Sequence, residues 1–435
     1  MNAIYWFRND LRLTDQPSLN RACTLADTIA PVFIHPVDSL TTWGFERIGR
    51  HRKHARCSAV LALKRQLIED GSDLFEYSSE PCETLIRLAH AWRIQTIFCE
   101  EIAAPEEQHQ VERLRHAGLT VVTTWQSSLL EDQDLPFEMN HLPLVFTDFR
   151  KAVENAKVHV RKPEYFVRYT TPLPAGVTHT QPDMSECRPI NSWDMRTSIP
   201  YFHEPEFAGT TFGLKHINQY FERKLAHDYK RTRNQLSGVD YSTKFSVWLA
   251  SGAVSARMIF ENLQEFEHDH GANEGTYWIW FELLWRDYFR FLHHRFGAQL
   301  YRRSGLRSAD QAPLGSAVIK TSEQFETFER WCQGNSGEAF VDAGMRELRL
   351  TGYLSNRMRQ VTASHLVHEL GLDWRAGAAW FESQLIDYDV YSNQGNWLYI
   401  AGCGTDPRGG RAMRPDKQAL EHDPLETYRK KWGTL

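Results

Sequence analysis

The sequence predicts an α/β N-terminal domain, a doubly wound parallel sheet, followed by an all-α C-terminal domain. Three observations predict it. Short apolar runs alternate with amphipathic stretches through residues 1–130, the order that lays helices on both faces of a parallel sheet. Proline then punctuates residues 131–205 and helical periodicity fades. From Gly209 onward the pattern is helical almost to the end. A chain of 435 residues is long for one compact core, so we expect an α/β domain at 1–130, a linker at 131–205 and a helical domain at 206–435.

Residues 3–7 open the chain as a strand, and 30–34, 73–77, 96–100 and 120–124 repeat the pattern with β-branched or aromatic residues. Between them, 52–69, 82–93 and 106–118 read as amphipathic helices. No GxGxxG follows the first strand, so the dinucleotide fingerprint is missing. In the linker Pro136, Pro143, Pro163, Pro172, Pro174, Pro182, Pro189, Pro200 and Pro205 break periodicity, with one short helix expected near 147–157. Beyond it, 213–230, 255–267, 276–296, 323–333, 340–352, 357–369 and 374–385 read as amphipathic or buried helices. There is no internal repeat.

Composition narrows the class. Hydrophobic residues make up 42% and charged residues 24%, the balance of a soluble globular protein. Mean hydropathy is −0.51, and no apolar run approaches the ~20 residues of a membrane span. The opening MNAIYWFRND lacks the basic and apolar segments of a secretory signal. Cys23, Cys57, Cys82, Cys99, Cys187, Cys332 and Cys403 are odd in number and never form CxxC. That argues against a disulfide framework and a cysteine-bound zinc, and for a cytoplasmic location. His293–His294 reads as a solvated or packing pair, and no metal is expected.

The net charge of −5, taken alone, predicts no nucleic-acid binding. Local runs differ. Lys215, Arg223, Lys224, Lys230, Arg231 and Arg233 form one basic stretch; Arg286, Arg290, Arg295, Arg302 and Arg303 form another. Such stretches either track phosphates or are solvated helix faces. The 14 Trp, 16 Tyr and 24 Phe suit a stacking or electron-transfer protein, and equally a large helical core.

Two clusters carry chemistry. Ser242-Thr243-Lys244-Phe245-Ser246 places hydroxyls and an ammonium at a loop-to-helix transition. That is a phosphate cradle or an ordinary cap. Asp387 and Asp389 follow the end of a helix and precede a turn rich in Asn and Gly, then Trp397. Carboxylates in an aromatic region are costly unless paired or used, and Arg359 is a plausible partner. The pair either locks two helices or frames a polar heterocycle.

Tyr5-Trp6-Phe7-Arg8-Asn9-Asp10-Leu11-Arg12, Trp285-Arg286-Asp287-Tyr288, Thr351-Gly352-Tyr353-Leu354-Ser355-Asn356-Arg357 and the run from Asp387 through Trp397 resemble the signatures of the photolyase/cryptochrome family, in order and through most of the chain. The resemblance implies an FAD-binding helical domain and light-driven repair of cyclobutane pyrimidine dimers in DNA by an electron from excited reduced FAD. It assigns the FAD phosphates to Tyr229 and to Ser242, Thr243, Lys244, Phe245 and Ser246. Arg359, Asp387, Asp389 and Asn393 go to the flavin. Glu282 is the acid that hydrogen-bonds the dimer; Trp285 and Asn356 wall its pocket; Arg233 contacts a phosphate. Gln360 and Tyr399 resemble the DASH branch, which implies a preference for single strands. Trp397 and Trp374 match two of three photoreduction tryptophans, whereas the third position falls on Thr321. Val247 replaces a usual proline, and Ser336-Gly337-Glu338-Ala339 departs from the family's run. A folate antenna (methenyltetrahydrofolate) would be contacted near Glu106 and Glu107, acids that also suit a helix start. The alternatives are a blue-light receptor that signals without repair and, further off, an unrelated flavin reaction. Retention of the dimer-pocket residues favours repair, and residues 415–435 are short for a signalling tail. A monomer is expected, with no membrane association.

Overall fold

The structure, a computed structural model, describes residues 1–165, 169, 171–177, 193–308, 319–406 and 409–433. Pro182, Cys187 and Pro189 lie outside them. Strands β1 (Asn2–Phe7), β2 (Thr28–His35), β3 (Phe75–Ser78), β4 (Thr96–Glu100) and β5 (Thr120–Thr124) form one sheet in the order β3-β2-β1-β4-β5. Every pairing is parallel. The crossovers are α1 (Pro17–Leu25), α2 (Arg50–Glu69), α3 (Pro81–Trp92) and α4 (Pro105–His116). Strand alternation sorts the side chains. Ala3, Tyr5 and Phe7 enter one core with Phe33 and Phe98; Ile4 and Trp6 enter another with Val32, Ile34 and Ile97. Both faces are covered, as an all-parallel sheet requires. Helix α1 was not expected: only Ser18, Leu19 and Ala22 of its nine residues are buried, too few to make a periodic signal.

Helix α5 (Phe146–Asn155) stands in the linker as expected. The expected helix at 213–230 is broken. Helix α6 (Thr210–Glu222) ends near Lys224 in the left-handed region (φ 57°), a 3₁₀ turn follows, and α7 (Tyr229–Thr232) restarts the chain on a new axis. Then come α8 (Ser246–Ser251), α9 (Ala256–His270), the 23-residue α10 (Glu274–Phe296), α11 (Ser322–Gln333), α12 (Ala339–Thr351) and α13 (Asn356–Ser364), which continues as a π turn through Glu369. Helices α14 (Trp374–Gln384), α15 (Val390–Ala401), α16 (Pro415–His422) and α17 (Thr427–Trp432) complete the chain.

Helix α15 corrects the reading of 391–396 as a turn. Asn and Gly are poor helix formers, but the Asp389 side chain accepts the Ser392 N–H at 2.7 Å and caps the helix. Gly395 serves close packing: a Cβ there would lie 2.1 Å from Phe289 Cδ1 on α10.

The sheet and the helices are stitched by buried charge. Asp287 on α10 accepts the Leu129 and Leu130 N–H groups at 2.9 and 2.8 Å. Arg257 on α9 pairs with Asp15 at 2.9 Å, with both side chains out of water. The second basic stretch is spent in the same way. Arg286 donates to Ser127 O at 2.5 Å, Arg290 to Asp389 at 2.5 Å and Arg295 to Leu142 O at 2.6 Å, so these three do not form a phosphate track. Cys57 is disulfide-bonded, where the scattered cysteines argued against a disulfide framework, while Cys23, Cys82, Cys99, Cys332 and Cys403 are free. Among the described residues no helix is long and apolar enough to cross a membrane, and no three His, Cys, Asp or Glu side chains cluster for a metal. His293 packs as read: its Nδ1 lies 2.8 Å from Phe289 O, and burial lowers its pKa to about 4.

Candidate functional site

The helices enclose a cavity of about 290 Å³. Its floor is the 242–246 loop, which α8 continues with Ser246. Lys244 adopts φ 55° there, a left-handed bend just before α8. Asp387, at the end of α14, is the hub of the wall. Arg359 NH2 donates to both of its oxygens at 2.9 and 2.8 Å, and Ser246 Oγ donates at 2.7 Å. Arg359 Nε is anchored on Leu354 O at 3.0 Å. One guanidinium nitrogen thus bridges both carboxylate oxygens, and with Ser246 on the same carboxylate the loop, α13 and the turn before α15 are held to one another.

Asp389 stands two residues on. Burial alone would push its carboxyl up; Arg290 and Arg286 beside it, with the Ser392 N–H, win and lower it to about 2. Asn393, one turn into α15, donates its amide to Ala378 O at 3.0 Å. Lys244 is not a free ammonium over the loop. Its Nζ lies 3.4 Å from the centre of the Tyr241 ring and donates to Tyr353 Oη at 3.2 Å, and burial lowers its pKa well below the usual lysine range.

All ten residues expected to hold the cofactor line this one cavity: Tyr229, Ser242, Thr243, Lys244, Phe245, Ser246, Arg359, Asp387, Asp389 and Asn393. Arg233, Glu282, Asn356, Gln360 and Trp397 line it too. Trp285 and Tyr399 do not. Trp285 stacks on Phe146 of α5 (centroids 3.7 Å apart, planes at 13°), with its edge toward Tyr399 at 6.4 Å. Both line a neighbouring apolar cavity of about 250 Å³. Stacking on Phe146 draws the indole toward the linker helix. The cavity also admits Tyr353 and Arg286, which lie in quoted motifs but had been given no role.

Two family models match the chain, "DNA photolyase" over residues 3–169 and "FAD binding domain of DNA photolyase" over residues 278–433. The Cryptochrome DASH of Arabidopsis thaliana is 39% identical over 99% of this chain and 75% of its own length. This chain belongs to the photolyase/cryptochrome family. A Cryptochrome DASH from Xenopus laevis is 39% identical over 98% of this chain and 81% of its own. The solved Synechocystis cryptochrome is 36% identical, with a TM-score of 0.90 over 99% of this chain and 88% of that one. A class III photolyase from Agrobacterium tumefaciens, 23% identical with a TM-score of 0.78, shares the fold.

Against the photolyase/cryptochrome pattern, the departures acquire physical reasons. Thr321 caps α11: it accepts the Gln324 N–H at 3.2 Å, and Gln324 reaches back to the Thr321 N–H at 3.2 Å. A tryptophan could not make that cap. Trp397 instead touches Phe381 at 5.1 Å and Trp331 at 6.4 Å. Trp374 stands outside the cavity, buried, with its indole N–H on Arg303 O at 3.0 Å. Val247 is buried in the first turn of α8. The Ser336–Gly337 run is gathered by Asp342, which accepts from both backbone N–H groups at 2.7 and 3.1 Å. Glu106 and Glu107 lie in the first turn of α4. Glu106 pairs with Arg47 at 2.6 Å, and burial raises the pKa of Glu107.

Proposed function

We propose that this chain repairs cyclobutane pyrimidine dimers in DNA in a light-driven reaction, with single strands preferred. One observation carries the reading. Arg233, Glu282, Asn356 and Gln360 line the same cavity as the 242–246 loop, Arg359, Asp387, Asp389 and Asn393. A flavin and an extruded dimer would therefore share one chamber, with no wall between them.

The residues fit FAD. The loop gives hydroxyl donors for its phosphates, and the Asp387–Arg359 pair and the Asn393 amide give fixed polar edges for its ring. Bound there in reduced form, FAD supplies the light-driven electron that opens the cyclobutane ring. The protein's share is position and electrostatics. Glu282, when neutral, donates a hydrogen bond to a dimer carbonyl as charge develops on it. Asn356 and Gln360 wall the lesion, and Arg233 holds a neighbouring phosphate. Trp397 and Trp374, both buried, carry electrons inward from an outer donor other than Thr321. Gln360 is a polar wall that rewards extrusion from a duplex weakly, which supports the single-strand preference; Trp285 and Tyr399 would join the lesion by turning from their own cavity. With this reading go the division at 130 and 205, a folate antenna near Glu107, a monomer and a cytoplasmic site of action.

The test is repair of one thymine dimer by the purified, reduced protein, in light and dark, in a single strand and in the matched duplex. Light-dependent repair mainly in the single strand supports the proposal. The separation of Trp285 and Tyr399 into a neighbouring cavity favours the alternative, a flavin-binding blue-light receptor. No repair of either substrate with FAD bound and reduced would put that alternative first.

A further inference from the structure

Two residues with different proposed partners hold each other. Glu282 is the donor to the dimer and Arg233 the grip on a phosphate, yet Arg233 NH2 and Glu282 Oε1 lie 2.5 Å apart. Arg233 is the residue that closes α7; Glu282 stands in the third turn of α10, and the two helices pack together. The contact is an ion pair without an aligned hydrogen bond: Glu282 Oε1 has no satisfying donor although the atom itself is out of water. Both side chains keep some exposure at the cavity mouth, 18% for Arg233 and 33% for Glu282. Without an aligned hydrogen bond the pair lacks the charge-assisted bonding that makes such contacts strong. A phosphate offers the guanidinium a planar, bidentate, fully charged partner.

From this geometry we infer that Arg233 is a latch on Glu282: a DNA phosphate draws Arg233 away, Glu282 takes one proton from solvent, and the neutral acid is then free to donate to the dimer. The inference rests on the repair reading. The balance is simple. Before binding, carboxylate and guanidinium cancel. Afterwards guanidinium and phosphate cancel, and one O–H bond has formed on Glu282 with a proton from water.

The surroundings agree on the direction. Burial pushes the Glu282 carboxyl up, and Arg233 opposes it. The other groups about Glu282 do not replace Arg233. Tyr229 on α7 is a buried phenol whose pKa burial raises. Arg286, one turn along α10, is engaged by Ser127 O, and burial lowers its pKa to about 9. Arg357 on α13 is bonded to Asn234 and Gln418 at 3.1 and 3.3 Å. Asn356 and Gln360, across the cavity, do not titrate. Arg233 is thus a positioning residue for the proton on Glu282 as well as a phosphate contact.

The experiment is calorimetric titration of the FAD-loaded protein, in the dark, with a thymine-dimer single strand in buffers of different ionisation heat. We expect uptake of about one proton per strand bound, and an affinity that falls by up to ~10-fold per pH unit across the neutral range. E282Q should bind with no such uptake and a flat pH profile. R233M should bind more weakly and take up less, because its acid already carries the proton. An infrared difference spectrum should show a protonated-carboxyl band on binding that E282Q lacks. Binding by the wild type without proton uptake, or uptake that survives in E282Q, overturns the latch and leaves repair untouched. Proton uptake with no repair in light sinks the repair reading and keeps only the exchange of Arg233 from Glu282 to a phosphate. No binding of the strand overturns both.

Discussion

Glu282 and Asp389 are both partly buried carboxyls beside arginines, yet their environments push them in opposite directions. Glu282 meets one arginine in a poorly aligned contact, and burial prevails. Asp389 meets two arginines and a backbone N–H, and is lowered to about 2. From that contrast follow two expectations. Glu282→Gln should keep most of the repair rate, because an amide still donates; Glu282→Ala should lose roughly 100-fold. Equal rates in the two variants would remove Glu282 from the reaction. Asp389 has a folded pKa below the ordinary 3.8, so its stabilisation is present above that value and is lost as pH falls toward about 2. The amount is about 2 kcal/mol, and acid titration of the melting temperature, compared with Asp389→Asn, measures it. Asp387 and Asp389 were legible in the sequence because carboxylates are chemically unusual in an aromatic setting, whereas Glu282 and Arg233 drew their roles only from the family resemblance. Their pairing was only half legible: Asp387 with Arg359 was foreseen, whereas the Arg290–Asp389 and Arg233–Glu282 contacts were not. Sequence carries no signal for which of several nearby arginines a fold brings within reach.

At the scale of the element, strands were easier to foresee than helix ends. Each of the five expected strands overlaps an observed one, since β-branched runs bounded by polar turns have few other uses. Helix α15 was hidden because its Asn and Gly residues argue locally for a turn, and the Asp389 cap and packing on Phe289 override them. The break between α6 and α7 was hidden because Lys224 has no obvious reason, in sequence, to adopt a left-handed φ. Both features can be tested. Gly395→Ala should destabilise by about 1–3 kcal/mol, because a methyl group there overlaps Phe289. Thermal unfolding reads this directly, and an unchanged melting temperature would show that α15 can slide away from α10. Thr321→Ala should cost about 1 kcal/mol through loss of the cap, and Thr321→Ser should restore most of it.

Over the whole molecule, the architecture was foreseen from alternation and composition, while the seam between sheet and helices was not, because it is made of polar groups distant in sequence. Glu100, at the end of β4, belongs to that seam. Burial and the neighbouring Asp10 raise its pKa to about 8, against an ordinary 4.5. A raised carboxyl stabilises the fold at low pH, so its contribution should decline as pH rises from about 4.5 to about 8. Glu100→Gln should flatten that decline in a plot of melting temperature against pH; a parallel curve would show that another group governs the seam. The Asp387 hub has a consequence of a different kind. Its bond to Ser246 joins residues 141 apart in the chain. During synthesis at about 5–20 residues per second, the 242–246 loop emerges on the order of ten seconds before the carboxylate that fixes it. The nascent chain therefore cannot grip its cofactor until residue 387 of 435 has left the ribosome, and flavin supply should govern the yield of finished protein rather than the early folding of the sheet.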